Sequence, residues 1–182
     1  FAEINQNLEL HDEIEKQKVY RIYRDVRFSK DKTPYNPRFA VSYSRKGKEL
    51  RGGYFLQIKS GGTFLGGGFW QPEKEDLFRI RKEFEMDSNE IRELMEHPEF
   101  KSVWGELQGE ELKSAPRGFD KQDPNIDLIR RKQFIFTKKF TDKKVLSTGF
   151  EKEVIHSFKV IRPYFDYMSS VLTTNLNGES IL

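Results

Sequence analysis

The sequence predicts an α+β fold in which helices pack against an antiparallel sheet of about five strands, with a mixed sheet as the alternative. Short segments of alternating apolar and polar residues cluster in the first half of the chain. Segments with apolar residues every three or four positions follow them, and one late strand, KQFIFTKKF, lies between these helical segments. We therefore expect one domain over residues 1–182, with a core from about residue 4 to about residue 172.

Four early strands are predicted from the alternation of apolar residues. Residues 19–28, VYRIYRDVRF, alternate imperfectly and predict a strand that runs into a bend. Residues 38–44, 53–59 and 63–70 predict three further strands. Ser60-Gly61-Gly62 separates the last two, and so short a glycine-rich loop predicts an antiparallel β-hairpin.

Helices are predicted after Pro72, after Asp87 and near the end of the chain. Acidic residues follow Pro72 closely, where the positive end of a helix dipole favours them. Asp87 and Glu90 have the spacing of a capping box. Apolar residues recur every three or four positions over residues 150–172, which predicts a long C-terminal helical segment. Pro163 lies inside this segment and is expected to kink it or to begin a new helix.

Composition excludes several kinds of site. The chain has no cysteine, which excludes disulfides, thiolate metal sites and thiol nucleophiles. The histidines, at positions 11, 97 and 156, have no ligand spacing, so we expect no metal, and no cofactor motif is present. No segment approaches the roughly 18 apolar residues of a membrane span, so we expect no membrane partner. A cytoplasmic location is compatible with the absence of cysteine.

The segment RIYRDVRFSKDKTPYNPR, residues 21–38, carries six basic and two acidic residues. Guanidinium, ammonium and hydroxyl donors that converge in a loop suit a phosphate or a carboxylate. The sequence therefore predicts a site for a small anionic or phosphorylated ligand, with Tyr35 or Trp70 over its organic part. The predicted site residues are Arg24, Arg27, Lys30, Asp31, Lys32, Tyr35, Trp70 and Arg117. The alternative is that Asp25 and Asp31 neutralise the neighbouring cations and only fix the loop.

Glycine pairs and triplets occur at residues 61–62 and 66–68. No Gly-Lys-Ser or Gly-Lys-Thr follows them, and they do not open a helix after a parallel strand, so the Walker loop and the dinucleotide-binding fingerprint are excluded. Glycines within a strand more often allow the close approach of another part of the chain. The functional alternative is a floor without side chains under a ligand, with Phe69 and Trp70 as its walls.

No arrangement of residues in the sequence predicts a reaction, so whether the protein is an enzyme stays open. The candidate acids or bases, Asp25, Asp31 and Asp120, are not brought together by any pattern. Binding of nucleic acid or of a protein is the second hypothesis. In that case a non-enzymatic module would use a basic surface made by Arg130, Arg131, Lys138 and Lys139. The sequence does not predict an oligomeric state.

Several motifs together resemble one protein family. RIYRDVRFSKDKTPY, GGYFLQI, GGTFLGGGFW, APRGFDKQDP and LIRRKQF follow one another along the chain. From about Ile4 to about Leu172 the sequence resembles the bacterial and fungal family named domain of unknown function 2461. The resemblance implies an α+β fold and assigns no activity. That family usually carries a further helical stretch upstream, which we expect to be missing here.

Overall fold

The computed structural model describes residues 1–175 and 177–182. Its strands are β1 (Ile14–Val19), β2 (Phe39–Arg45), β3 (Gly53–Ile58), β4 (Thr63–Phe69) and β5 (Phe134–Phe140). Its helices are α1 (Ala2–Glu9), α2 (Lys74–Met86), α3 (Asn89–Glu96), α4 (Pro98–Trp104), α5 (Ile126–Ile129), α6 (Asp142–Val145) and α7 (Phe150–Thr173). This order of elements confirms the predicted α+β fold.

The described strands form one sheet in the order β1-β2-β3-β4-β5, and every neighbouring pair is antiparallel. The mixed sheet is therefore excluded for the described residues. Gly61 has a positive φ of 65° in the turn between β3 and β4, and the predicted hairpin is confirmed. Helices α2 to α5 are inserted between β4 and β5.

Helix α7 covers one face of the sheet. Successive residues of a strand point to opposite faces, and Tyr54 and Leu56 of β3 point towards this helix and are buried. The ring of Tyr54 lies 4.9 Å from that of Phe158 and 5.1 Å from that of Phe165, measured between centroids. Offset and edge-on aromatic contacts of this kind add to the stabilisation that burial itself provides.

Pro163 does not begin a new helix, because α7 is continuous from Phe150 to Thr173. The residues around it explain why the helix continues. Ile161 and Phe165 are fully buried on either side of Pro163, and their packing against the sheet holds both halves of the helix in line. Pro163 itself is exposed, so its ring occupies solvent and not the core.

The first strand lies earlier in the sequence than predicted. Strand β1 ends at Val19, and the predicted strand over residues 19–28 is wrong. Strand β1 is mostly polar because it is an edge strand, where charged residues hinder pairing with other chains. The chain leaves the sheet after the backbone N–H of Tyr20 donates to the carbonyl of Ala40 at 2.9 Å. Residues 20–38 then form a loop, called here the basic loop.

Two helix predictions also need correction. Helix α3 begins at Asn89, and its N-cap residue Ser88 makes no capping hydrogen bond with its side chain. The predicted capping box is absent because the Asp87 carboxylate accepts a hydrogen bond from the Asn89 backbone at 2.8 Å, in a tight local turn. Helices α1 and α6 were not predicted, although Ile4 and Leu8 of α1 belong to the core.

No helix in residues 1–175 and 177–182 combines the length and the apolar character that a membrane crossing requires.

A buried ionic network connects four parts of the fold. The Arg45 side chain at the end of β2 is 0% exposed and that of Asp12 is 1% exposed. The Arg45 Nε donates to Asp12 at 3.0 Å, and its terminal nitrogen pairs with Asp166 of α7. The hydroxyl of Tyr54 donates to Asp12 at 2.5 Å. Burial, and then the bond to Asp12, raises the pKa of the Tyr54 hydroxyl.

We expect Asp12→Asn to lower the free energy of unfolding by about 3–5 kcal/mol, because it leaves the buried Arg45 without its buried counter-charge. Urea denaturation followed by circular dichroism would measure the change. Glu13→Gln is the matched control, because Glu13 pairs with Lys46 on the surface, where both side chains are well exposed. Its stability should be nearly unchanged. Equal losses in the two variants would contradict the importance assigned to the buried network.

Candidate functional site

Two arginines of the basic loop, Arg24 and Arg27, already bind carboxylates within the loop. Arg27 donates to Asp25 through Nε at 2.9 Å and through a terminal nitrogen at 2.7 Å. Arg24 pairs with Asp31, and its other terminal nitrogen lies 3.4 Å from the Ser29 hydroxyl. Both guanidinium groups therefore have internal acceptors, as the alternative interpretation of the sequence requires.

Asp31 is the centre of this loop network. It accepts hydrogen bonds from the Thr33 hydroxyl at 2.6 Å and from the Thr33 backbone at 2.9 Å, besides its pair with Arg24. The bond from the Thr33 hydroxyl, followed by that from Arg24, holds the pKa of Asp31 well below its usual range. The Lys32 ammonium donates to the carbonyl of Val26 at 2.9 Å. Lys32 is therefore bound to the backbone of its own loop.

The remaining predicted site residues lie apart from this network. Lys30 is exposed, and within the described residues it makes no ion pair or side-chain hydrogen bond. The Tyr35 ring packs against Tyr23, with centroids 5.2 Å apart. Arg117 belongs to a loop on the helical side of the sheet, where the neighbouring Phe119 packs against Phe78 of α2. The structure therefore brings Arg24 and Asp31 together, and it does not bring Arg117 to the basic loop.

Trp70 lies in a different place, on the face of the sheet that α7 leaves open. A trough of about 450 Å³ runs along this face. Its walls are aromatic rings, and its floor is made of glycine and serine residues. The wall residues are Tyr20, Phe55, Phe64 and Trp70, and the floor residues include Ser42, Ser44, Gly66 and Gly68.

Alternation along β4 produces this trough. Phe64, Gly66 and Gly68 share one face of the strand, and Trp70 follows at the next position of the same period. Two rings on one strand are thus separated by two positions without side chains. The side chain of Phe69 points to the opposite face, and its ring centroid lies 6.2 Å from that of Tyr164 in α7. The expectation that Phe69 forms a wall is therefore wrong.

Packing disfavours a side chain at two of the three positions 66–68, most strictly at Gly68. At Gly67, a Cβ atom would lie 2.6 Å from the Cδ1 atom of Ile161. Gly68 has a φ of 127°, and a Cβ atom there would lie 2.2 Å from the carbonyl oxygen of Phe134. At Gly66, a Cβ atom would make only ordinary contacts, the nearest at 3.7 Å from the Phe64 ring. Packing therefore explains Gly67 and Gly68, and it does not explain the bare floor at Gly66.

Rows of paired residues show which side chains share the open face with the trough. One row across the five described strands contains Lys18, Ser42, Phe55, Gly66 and Thr137. Residues paired across a ladder lie on the same face, so Lys18 stands at one end of the row that crosses the trough. Its ammonium lies 5.0 Å from the centroid of the Tyr20 ring, a cation–π contact.

The open face carries positive charge. Lys16 is paired with Ser44, and Lys139 is paired with Phe64, which places one lysine on each side of the trough. Among the ion pairs of residues 1–175 and 177–182, none includes Lys16, Lys18 or Lys139. These three ammonium groups are therefore available to an external anion.

Two of the four residues of the second basic surface predicted from the sequence, Arg130 and Lys138, are neutralised, whereas Arg131 and Lys139 have no ion pair among the described residues. Arg130 pairs with Glu111 at 3.2 Å. Lys138 points towards α7 and pairs with Glu153 at 3.1 Å. Lys139 has the opposite direction and belongs to the open face. Lys138 and Lys139 both lie in β5, and of these two residues Lys139 is the one on the face of the trough.

The sequence contained a signal for the trough that our prediction missed. A strand with one buried face normally carries polar residues at its outward positions. Phe55 and Phe64 are large apolar residues at such positions of β3 and β4, and both are only half-buried. The alternation of Phe64, Gly66, Gly68 and Trp70 is the clearer signal, because it places two rings around a gap on one face.

We expect Asp31→Asn to loosen the basic loop, because Arg24 and Thr33 lose a charged acceptor. The loop is closed by backbone hydrogen bonds from Arg24 to Pro34 at 2.9 Å and from Asn36 to Ile22 at 2.6 Å. Amide hydrogen exchange at Arg24 and Asn36 should therefore become faster. Acidification should act likewise, because a carboxylate with a lowered folded-state pKa contributes above its ordinary pKa and loses that contribution as the pH falls through the folded value.

Asp25→Asn is the matched control for the loop. The side-chain hydrogen bonds of Asp25 in the described residues all go to Arg27, two positions away, so they close only a local turn. Its effect on exchange at Arg24 and Asn36 should be smaller. Unchanged exchange in Asp31→Asn would show that this carboxylate does not hold the loop.

A pair of glycine substitutions tests which position the fold requires. Gly67→Ala should lower the free energy of unfolding by about 1–3 kcal/mol, because the added methyl group overpacks the contact with Ile161. Gly66→Ala should leave stability unchanged or slightly raised, because the methyl group has room and alanine restricts the unfolded chain. Urea denaturation of both variants would measure the difference. A larger loss of stability in Gly66→Ala than in Gly67→Ala would contradict the conclusion that the fold has room for a side chain at Gly66.

Comparison with known proteins identifies a family. The family described as "Conserved hypothetical protein (DUF2461)" matches residues 1–167, a range that includes the whole sheet, the basic loop and the trough. No curated protein and no solved structure matches the chain. The family match confirms the resemblance carried by the motifs of the basic segment and of the glycine-rich hairpin. The chain therefore belongs to the family of conserved hypothetical proteins designated DUF2461.

Proposed function

We propose that this protein binds a small organic anion, with a planar ring and a negatively charged group, in the trough of the open sheet face. The observation that carries the proposal is the floor at Gly66, which has no side chain although the fold has room for one. Gly66 is buried, with the side chains of Phe64 and Phe55 as its nearest neighbours, and a floor position that the fold leaves without a side chain, between aromatic walls, suits the flat part of a ligand. The proposal includes no catalytic step. It includes a location in the cytoplasm.

The walls favour an aromatic ring as the flat part. The Tyr20 and Phe55 rings meet at 6.0 Å and 74°, and the Phe55 and Phe64 rings meet at 5.5 Å and 37°. These rings already pack on one another, while Trp70 stands across the glycine positions and is 57% exposed. A ligand ring placed over Gly66 would therefore gain a contact with the exposed ring of Trp70.

The charges favour an anion. Lys18 lies in the same row as Gly66, and Lys16 follows it on the same face of β1. The hydroxyl groups of Ser42 and Ser44 stand between these lysines and the floor, and hydroxyl groups donate readily to phosphate or carboxylate oxygens. A neutral ligand would leave this positive charge unused.

The trough is also a better candidate site for an anion than the basic loop. An anion on the loop would compete with Asp25 for Arg27 and with Asp31 for Arg24, and these acceptors are part of the same chain. An anion on the trough competes with no described carboxylate for Lys16 or Lys18. Trp70 keeps its predicted role as the residue that covers an organic part of the ligand.

Tryptophan fluorescence offers a direct test, because the chain has two tryptophans in opposite environments. Trp70 is exposed, whereas Trp104 is 2% exposed and lies in the core. Adenosine monophosphate, phenyl phosphate and inorganic phosphate serve as probes. We expect the two aromatic probes to quench Trp70 in a saturable way and to raise the melting temperature. A probe at 100 times its dissociation constant should stabilise the fold by roughly 2.7 kcal/mol.

Three variants make this test specific. Gly66→Val fills the floor and should abolish quenching while the protein stays folded. Lys18→Ala should weaken binding of the aromatic phosphates by about tenfold, which is the effect of one lost charged contact. Lys152→Ala removes the same charge from an exposed position on α7, away from the open face, and should leave binding unchanged. Absence of quenching with every aromatic anion, or unaltered quenching in Gly66→Val, would refute the proposal.

A further inference from the structure

We infer that the natural occupant of the open sheet face is a single-stranded nucleic acid, of which the proposed ring-bearing anion is one nucleotide unit. The inference rests on the proposed function, because it uses the same trough. It adds a substrate class and a further contact, Lys139, at the far edge of the sheet. Three properties of the face support it.

The first property is the separation of the cations. Lys18 is on β1 and Lys139 is on β5, four inter-strand steps away. At about 4.8 Å per step, the two strand positions are about 19 Å apart. One small ligand with a single charged group cannot contact both lysines. A chain with a phosphate in every unit can place one phosphate near each.

The second property is the row of rings between these cations. Tyr20, Phe55 and Phe64 follow one another from the β1 edge towards β4, with centroid separations of 6.0 Å and 5.5 Å. Trp70 adds a fourth ring beyond the glycine positions. Aromatic side chains spaced across a basic surface are the usual platform for the successive bases of a single strand.

The third property is the chemistry of the polar contacts. Ammonium groups and serine hydroxyls bind phosphate and sugar oxygens, and aromatic rings stack on any base. The guanidinium of Arg38 donates to the side-chain oxygen of Gln57 at 2.6 Å. It adds a further cation that has no carboxylate partner among the described residues. This set of groups favours binding of a strand of any nucleotide sequence. It also favours a single strand over a duplex, because paired and stacked bases cannot reach the rings.

Binding should be measured with the full chain by fluorescence anisotropy and by quenching of Trp70. The probes are thymidine monophosphate, labelled octathymidylate, labelled octauridylate and a labelled duplex of mixed sequence. We expect octathymidylate to bind at least about tenfold more tightly than the monophosphate, because linked contacts act together. Its affinity should fall with salt, with a logarithmic slope of about −0.7 for each phosphate contacted. Comparison of the thymidylate and uridylate probes distinguishes DNA from RNA.

Lys139→Ala provides the decisive variant. It should weaken octathymidylate binding by about tenfold and leave the monophosphate unaffected, because the monophosphate directs its single phosphate towards Lys18 and the serines, whereas a chain carries further phosphates past the floor to Lys139. Lys18→Ala should weaken both ligands, and Lys152→Ala should change neither. The tested lysines are exposed, and circular dichroism would verify that each variant is folded.

The possible results separate this inference from the proposed function. If the monophosphate quenches Trp70 and octathymidylate binds no more tightly, the inference is overturned while the proposed function stands. If the duplex binds more tightly than the single strand, or if Lys139→Ala has no effect, the inference is also overturned. If no probe of either length binds, both proposals fail. Tighter binding of the single strand, lost in Gly66→Val and weakened in Lys139→Ala, supports the inference.

Discussion

The buried guanidinium of Arg45 is the constraint on which the arrangement of the fold depends. A charge with no exposed surface must be paired, because an unpaired buried charge costs several kcal/mol. Its partners come from distant parts of the chain: Asp12 follows α1, and Asp166 belongs to α7. Tyr54 of β3 donates to the same Asp12. The pairing of this one charged side chain therefore fixes the first helix, two central strands and the last helix relative to one another.

This arrangement decides which face of the sheet is covered. Helix α7 must lie on the face that carries Arg45, and the tight contact of Ile161 with Gly67 brings it close to β4. The opposite face then has no helix over it in the described residues, so aromatic residues that would be buried in a two-layer sandwich stay half-exposed. Gly66 and Gly67 are neighbours in sequence, yet they lie on opposite faces: Gly67 faces helix α7, and Gly66 forms part of the floor of the trough.

The basic loop shows how a segment rich in charge can pair some of its cations with its own carboxylates. Its sequence suggests a clamp for an external anion, but Asp25 and Asp31 are close enough along the chain to bind Arg27 and Arg24. The lysines of the open face differ in one respect. They lie on strands, where neighbours along the chain point away, and no described carboxylate faces them across the ladder. Local spacing thus neutralises Arg24 and Arg27 of the loop, and strand geometry keeps the open face positive.

The sequence by itself determined those parts of the fold that depend on local patterns. Strands β2 to β5, helix α2 and the long α7 have clear apolar periodicity, and the Ser60-Gly61-Gly62 turn predicts the hairpin between β3 and β4. The tertiary structure decided everything that depends on distant neighbours. It placed β1 at residues 14–19, because an edge strand pairs through its backbone and carries no apolar alternation of its own. It also selected the open face and left its lysines without carboxylates, because burial and charge pairing depend on which distant segments pack together.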